Sequence, residues 1–377
     1  MKNFQTVAIP HKDIIEGNFT LDVYAADLWE TFNQRGPNEY KDSSLFFQKT
    51  YITEGLNSLI ESVKKRIDGK PSDPVIEIQT PFGGGKTHSL IALLHKAKEW
   101  KVNVSVLVGT NISSKDTLWA IMEKQLKGKN EILTTLASPG KEKLKEILKP
   151  LSPIVILVDE LLEYIVKASA EKVGDSNLAS QTLAFMQELT ETVSSLDRSC
   201  LVATLPASLL EYYDENGERY LEQLQKIFGR IEKVETPVKD SEISKVIRRR
   251  LFSNVKEDEI IKIANEYIEY ARKENILPVG IDPIQYRNRF VDSYPFLPEV
   301  IDVLYHRWGS LQSFQRTRGV LRFLALVIHS LLKKNLSIFH FRKSALENAI
   351  NRCFCRKAQP LCDAMFFNPS HMINIRF

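Results

Sequence analysis

The sequence predicts an α/β chain in which a parallel sheet flanked by helices is followed by an all-helical domain. Three observations predict it. Between residues 75 and 205, four apolar runs of strand length alternate with segments of helical periodicity, the pattern of a parallel sheet covered by helices. A glycine-rich loop joins the first of these runs to a helix. Beyond Pro237 the strand-like runs stop and helical periodicity takes over.

Bulk properties set the frame. At 377 residues the chain exceeds one ordinary hydrophobic core, so two or three packed units are expected. A composition of 43% hydrophobic and 26% charged residues is that of a globular protein, and a net charge of +4 is too mild to single out a nucleic-acid partner. Met1–Pro10 carries one lysine and no apolar run of signal-peptide length, and no stretch approaches the ~18 apolar residues of a membrane span, so a cytoplasmic chain with no membrane partner is expected. Of the four cysteines, Cys200 sits in an apolar run and Cys353, Cys355 and Cys362 crowd the C-terminus, which is no disulfide framework.

The elements follow in order. Over residues 1–70, Leu21, Tyr24, Leu28 and Phe32, then Leu56, Leu59, Ile60, Val63 and Ile67, fall at helical spacing and predict a helical N-terminal extension. The break Lys70-Pro71-Ser72-Asp73-Pro74 opens a sheet domain over 71–236, with strands at Val75–Ile78, Val102–Val108, Ile154–Val158 and Leu201–Leu205. Thr87–Trp100, Lys115–Leu126 and Ser180–Leu196 are the helices between them. Residues 237–335 read as a helical domain with helices at Ser241–Phe252, Glu257–Arg272, Pro298–Trp308 and Arg318–Leu332, and Ile276–Tyr294 reads as a long connection because of its early prolines and glycine. Residues 336–377 form a tail of no clear pattern.

The first strand runs into Thr80-Pro81-Phe82-Gly83-Gly84-Gly85-Lys86-Thr87-His88, with a helix following at once. Three glycines let successive backbone N–H groups fold into a nest for phosphate, and the helix N-terminus adds its positive dipole end. This is the pattern of a P-loop, in which Lys86 bridges the β- and γ-phosphates of ATP and the Thr87 hydroxyl ligates Mg²⁺. Thr80 stands where the standard pattern has its first glycine, and Thr80-Pro81 supplies the turn instead. Pro81, Phe82, Gly83, Gly84, Gly85, Lys86, Thr87 and His88 make up the candidate nucleotide-binding stretch, with His88 a surface or packing side chain at its end.

The strand Ile154–Val158 ends in Asp159-Glu160. In a P-loop sheet this strand is expected beside the first, so that its carboxyl end opens into the phosphate crevice. Asp159 is then the second Mg²⁺ residue beside Thr87, and Glu160 the base that polarises the attacking water. Glu163 reads as a helix-surface charge. Thr204, a hydroxyl near the end of an otherwise apolar strand, either orients that water or bonds to a neighbouring carbonyl. Thr110 and Asn111, which close the strand Val102–Val108, are candidates to hold Glu160 inactive until a partner binds.

Together these features resemble the AAA+ class of P-loop ATPases. More specifically, Ala25–Trp29, Thr50–Leu56, Pro81–His88, Tyr294-Pro295-Phe296 and Phe314–Arg322 resemble the prokaryotic AAA+-like family known as domain of unknown function 499. The resemblance implies ATP and Mg²⁺ as ligands and a homo-oligomer or a complex with defence-system proteins. Members of the family often stand beside DNA methyltransferases and helicases in anti-phage or restriction-like gene neighbourhoods. It also implies two arginine roles: Arg230 as the finger reaching the γ-phosphate of a neighbouring subunit, and Arg318 as the lid arginine of the same chain, with Arg316 and Arg322 as competitors. A guanidinium suits both, since it stays charged and forks onto phosphate oxygens.

The run Arg248-Arg249-Arg250 reads as a helix face with a solvated edge, with DNA contact as the alternative. Cys353, Cys355, Cys362 and His371 match no standard zinc spacing. The functional expectation is an ATPase that couples turnover to moving a protein or nucleic-acid partner. The alternatives are a nucleotide-gated assembly switch with slow hydrolysis and a truncated, inactive remnant. A GTPase is disfavoured because no Asn/Thr-Lys-x-Asp guanine-reading motif is present.

Overall fold

The computed structural model describes residues 4–17, 25–80, 85–206, 215–229, 232–235, 237–275, 277, 280–307 and 317–333. Along the chain run β1 (Ala8–Pro10), α1 (Lys12–Glu16), α2 (Leu28–Phe32), α3 (Asn38–Lys41), α4 (Ser43–Lys49), α5 (Glu54–Ile67), β2 (Val75–Thr80) and α6 (Lys86–Glu99). Then come β3 (Asn103–Val108), α7 (Leu118–Lys127), α8 (Lys141–Leu148), β4 (Ile154–Asp159), α9 (Leu161–Ala168), β5 (Lys172–Val173), β6 (Ser176–Asn177), α10 (Leu178–Ser195), β7 (Ser199–Pro206), α11 (Glu215–Phe228) and β8 (Glu232–Glu235). The last stretch holds α12 (Ile243–Leu251), β9 (Phe252–Val255), α13 (Glu257–Lys273), α14 (Pro283–Ser293), α15 (Pro298–Asp302) and α16 (Thr317–Lys333).

The chain divides into two compact units, a sheet unit of residues 26–47 and 52–240 and a helical unit of residues 1–25, 48–51 and 241–377. The first seventy residues, which periodicity reads as one extension, are thus shared between the two.

In the sheet unit five strands lie in the order β3-β4-β7-β2-β8, with every neighbouring pair parallel. The strands are apolar without alternation because both faces are covered. On β4, Ile154, Ile156 and Val158 enter the core on the side of α7, α8, α9 and α10, while Val155 and Leu157 enter the opposite core with α5 and α6. Leu28, Tyr40 and Phe46, from the N-terminal helices, join that second core.

One expectation is corrected here. The strand ending in Asp159 does not lie beside β2, because β7 is inserted between them and pairs with both. Sequence order carries no information on which parallel strand is inserted, whereas the register does. Val158 pairs with Ala203 and Ile78 with Thr204, so β4 and β2 meet across β7. The fifth strand, β8, follows a helix and extends the sheet beyond β2.

The open edge of the sheet at β3 is closed by a side chain. Gln125 of α7 accepts from the Val106 amide and donates to the Val106 carbonyl, each at 2.8 Å, in the manner of a neighbouring strand. It also accepts from Ser105 at 2.8 Å. Capping in this way removes a template for unwanted strand pairing.

The helical unit is built from α12–α16 with the N-terminal segment. β1 and β9 form an antiparallel ribbon, with Ala8 opposite Val255 and Ile9 opposite Asn254, so the region past Pro237 is not free of strands. His329 of α16 makes a 2.9 Å hydrogen bond to the Ile14 carbonyl of α1. Within the span read as a connection, α14 forms because Asp282 caps it, accepting from Ile284 and Gln285 amides at 3.0 and 2.9 Å, and Pro283 opens its first turn. Tyr267, Tyr286 and Phe290 stack between α13 and α14.

The arginine run is largely occupied within this unit. Arg248 donates to the Val291 carbonyl at 2.7 Å and pairs with Glu257 at 2.8 Å, and Arg250 is buried. Among the described residues no helix is long and apolar enough to cross a membrane. The fold is therefore α/β, a parallel sheet flanked by helices, with a second unit built largely of helices.

Candidate functional site

The site forms where the carboxyl ends of β2, β4 and β7 open. Strand β2 ends at buried Thr80, and the next four residues, Pro81, Phe82, Gly83 and Gly84, lie outside the described residues. The chain resumes at Gly85, which caps α6 in the left-handed region with φ 88°. Among the described residues an added Cβ there would meet Val238 at 3.6 Å, and the backbone angle itself requires glycine. Lys86 is the first residue of α6, and its ammonium donates to the Thr80 carbonyl at 3.0 Å, bridging the two ends of the loop.

Asp159 is the centre of a polar cluster. It is 2% exposed at the end of β4 and accepts from the Thr204 hydroxyl at 2.5 Å. Thr87 also hydrogen-bonds to it, and Lys86 lies close enough to act on its charge. Burial pushes the Asp159 carboxyl above the ordinary carboxylate range, against the opposing pull of the two threonines and Lys86. Thr204 thus bonds to the carboxylate of β4 rather than to a carbonyl, which is what the insertion of β7 between β2 and β4 permits.

Glu160 is placed quite differently. It is exposed, carries a left-handed φ of 51°, and caps α9. Its carboxylate accepts from the Thr110 hydroxyl at 2.6 Å, and the same hydroxyl has Asn111 Oδ1 at 3.2 Å. A non-glycine residue at positive φ is held there by its surroundings. Here the surroundings include Gly109, whose added Cβ would stand 2.0 Å from the Glu160 carbonyl oxygen. Lys167, in the last turn of α9, donates to the carbonyls of Gly109 and Thr110 at 3.1 and 3.2 Å.

The remaining candidates separate. His88 stacks on Phe46 with ring centroids 4.6 Å apart and meets Tyr40 edge-on at 6.4 Å, a packing role against the N-terminal helices. Arg318 opens α16 in the helical unit, half-buried. Arg322 lies one turn further on, and its buried Nε has no hydrogen-bond partner among the described residues. Arg230, Arg316, Cys353, Cys355, Cys362 and His371 lie outside the described residues. Among the described residues no cluster of three or more His, Cys, Asp and Glu could hold a metal by itself. Gly109 and Lys167 were not legible as site residues, because their part depends on β3 lying beside β4.

Comparison with known proteins agrees with the resemblance to domain of unknown function 499. The DUF499 N-terminal domain model matches residues 4–116 and 105–238, and the DUF499 second domain model matches residues 238–344. The chain belongs to the DUF499 family. No curated protein matches it. Among solved structures, the ORC2 protein of Aeropyrum pernix, determined as ADPNP–ADP complexes, is similar at 13% identity and a TM-score of 0.39, covering 81% of this chain and 69% of that one.

Proposed function

We propose that this DUF499 chain is a P-loop ATPase of the AAA+ kind. The observation that carries the reading is the convergence of Thr87, Thr204 and Lys86 on one buried carboxylate, Asp159, at the mouth of a parallel sheet and directly after a glycine-capped helix start. Buried carboxylates are costly unless something compensates them, and a site that gathers two hydroxyls and an ammonium around one is built for a charged ligand.

On this reading the stretch Pro81–Thr87 cradles the phosphates of ATP, and Lys86 leaves the Thr80 carbonyl for the β- and γ-phosphates. The donor set fits Mg²⁺: the Thr87 hydroxyl and the Asp159 carboxylate are hard oxygen ligands that already meet. Bound Mg²⁺ would supply charge neutralisation at the β- and γ-phosphate oxygens. Thr204 holds Asp159 in orientation. Glu160, one residue beyond, orients and deprotonates the attacking water once it leaves Thr110. Arg230 from a neighbouring subunit and Arg318 from the same chain complete the γ-phosphate environment in a homo-oligomer.

Turnover would move the helical unit and act on a protein or nucleic-acid partner, with anti-phage defence as the biological setting the family suggests. The 2.6 Å Thr110–Glu160 bond also favours a second reading, an ATP-gated switch that assembles on binding and hydrolyses slowly until a partner frees Glu160.

The test is turnover by the purified chain with Mg²⁺ and candidate partners. Hydrolysis abolished by Lys86→Ala and by Glu160→Gln is expected. No hydrolysis sensitive to either change would remove the enzyme reading. Mass of the assembly with and without a non-hydrolysable ATP analogue tests the trans role of Arg230, which requires nucleotide-dependent association.

A further inference from the structure

Helix α9 carries Glu160 at its N-cap and Lys167 in its last turn, and both ends of the helix engage the same turn at the close of β3. At one end the Glu160 carbonyl lies against Gly109, while its carboxylate accepts from Thr110. At the other end the Lys167 ammonium donates to the successive carbonyls of Gly109 and Thr110. With those two carbonyls fixed, the Thr110 hydroxyl has little freedom beyond rotation about its own side-chain bond. That rotation has two acceptors within reach, Glu160 Oε2 at 2.6 Å and Asn111 Oδ1 at 3.2 Å.

We infer that Lys167 is a positioning residue that locks the Gly109–Thr110 turn in the arrangement restraining Glu160, and that Asn111 is the acceptor to which the Thr110 hydroxyl turns when Glu160 is released. The inference rests on the proposed ATPase reading and adds to it the device that sets the resting rate. The two acceptors make the turn a two-state element, and a ligand or partner shifts such an element only by contacting its states differently. A partner that draws the Lys167 ammonium off the two carbonyls, for which an acidic surface has the right chemistry, weakens the restraint without touching the glutamate. Lys167 is exposed at the protein surface, as that role requires.

The test compares Lys167→Met, Lys167→Arg, Thr110→Val and the Lys167→Met/Thr110→Val double variant. Loss of the clamp should raise the partner-independent kcat about two- to tenfold, the worth of one or two hydrogen bonds, with the KM for ATP unchanged. Lys167→Arg, which keeps donors at the same place, should restore the low resting rate. Thr110→Val should raise the rate by itself, and adding Lys167→Met to it should change nothing further, because the clamp acts only through that hydroxyl. In parallel, amide hydrogen exchange over residues 108–113 should quicken in Lys167→Met and not in Lys167→Arg.

An unchanged or lowered kcat in Lys167→Met, or full additivity in the double variant, would overturn the inference. So would unaltered exchange over the turn. Failure of the ATPase reading shows separately, as hydrolysis and ATP binding indifferent to Lys86→Ala, and the exchange measurement then still decides whether the clamp exists.

Discussion

Substituting Gly109 by alanine tests the site at the point where two strand ends touch most closely. The glycine is required by space, since its added Cβ would lie 2.0 Å from the Glu160 carbonyl oxygen, 2.8 Å from its carbonyl carbon and 3.1 Å from Tyr164 Cβ. Real Cβ contacts essentially never fall below 3.0 Å, so the backbones must part by about 3.0 − 2.0 = 1.0 Å. The obstacle is main chain and cannot rotate away. Overpacking of this kind costs ~1–3 kcal/mol of stability. On the proposed reading of Glu160 as the base, the larger effect falls on chemistry, because a displacement of ~1 Å at a catalytic group costs on the order of 100-fold in rate.

Gly109→Ala is therefore expected to lower kcat on the order of 100-fold, with ATP affinity near wild type, since Lys86 and Thr87 open helix α6 after a different strand. This differs from loss of the Lys167 clamp: a wedge under the backbone of Glu160 misplaces the carboxylate in every state, whereas a loosened clamp only lets it go. Steady-state kinetics with ATP binding and thermal unfolding measured alongside make the assay. Gly174→Ala is the control, with a positive φ of 58° and, among the described residues, nothing within 4 Å of its Cβ, so that it carries backbone strain at no cost to the site. Wild-type kcat in a normally stable Gly109→Ala would refute the assignment of Glu160.

Three further outcomes follow from the same structure. Gln125→Ala should cost ~1–3 kcal/mol in urea unfolding, because it strands the amide and carbonyl of buried Val106. Wild-type stability would mean that water serves this edge equally well. The Cys200 thiol, pushed up to about 12 by complete burial in β7, should resist alkylation at pH 8 in the native protein and react in denaturant. Native labelling at Cys200 would contradict the two-sided cover of the sheet. Asp159→Asn should stabilise the nucleotide-free protein at neutral pH. Its folded carboxyl is raised above the ordinary 3.8, so the stability it allows is full below that value and is lost as pH rises through the folded one. The gain in unfolding temperature should shrink toward pH 4, and a loss at neutral pH would refute the sign.

The sheet was legible because parallel strands buried on both faces must be apolar throughout, and Ile154–Val158 and Leu201–Leu205 have no other reading between helices of the right length. The order of its strands was not legible. Nothing in the run Leu201–Leu205 says that it lies between β2 and β4, since hydrogen bonds between parallel strands leave no mark on side-chain pattern. Helix α14 was obscured for another reason: Pro278 and Gly280 suggest a loop, while the capping pair Asp282-Pro283 states the opposite two residues later. The Thr110–Glu160 contact was within reach of reasoning from strand ends, but Gly109 and Lys167 were not. Their function is to fit and fasten a turn whose partner lies fifty residues away in the chain.

The two neighbouring acids at the end of β4 give the strongest internal argument for distinct roles. Asp159 is buried, hydrogen-bonded by two threonine hydroxyls with the Lys86 charge nearby, and raised in pKa by the loss of water. Glu160, the next residue, is exposed and accepts from the Thr110 hydroxyl, which has a second acceptor beside it. A helix start that needed only negative charge would have no use for this difference, because either acid near the N-terminus of α9 serves the dipole equally. A left-handed residue is also a costly way to begin a helix, at about 1–3 kcal/mol of backbone strain. The two consecutive side chains leave in different directions, one into the protein and one out of it. On the proposed reading, an acid that stays fixed for metal binding stands beside one that moves for water activation, and that pairing would account for the strain at Glu160 and the glycine opposite it together.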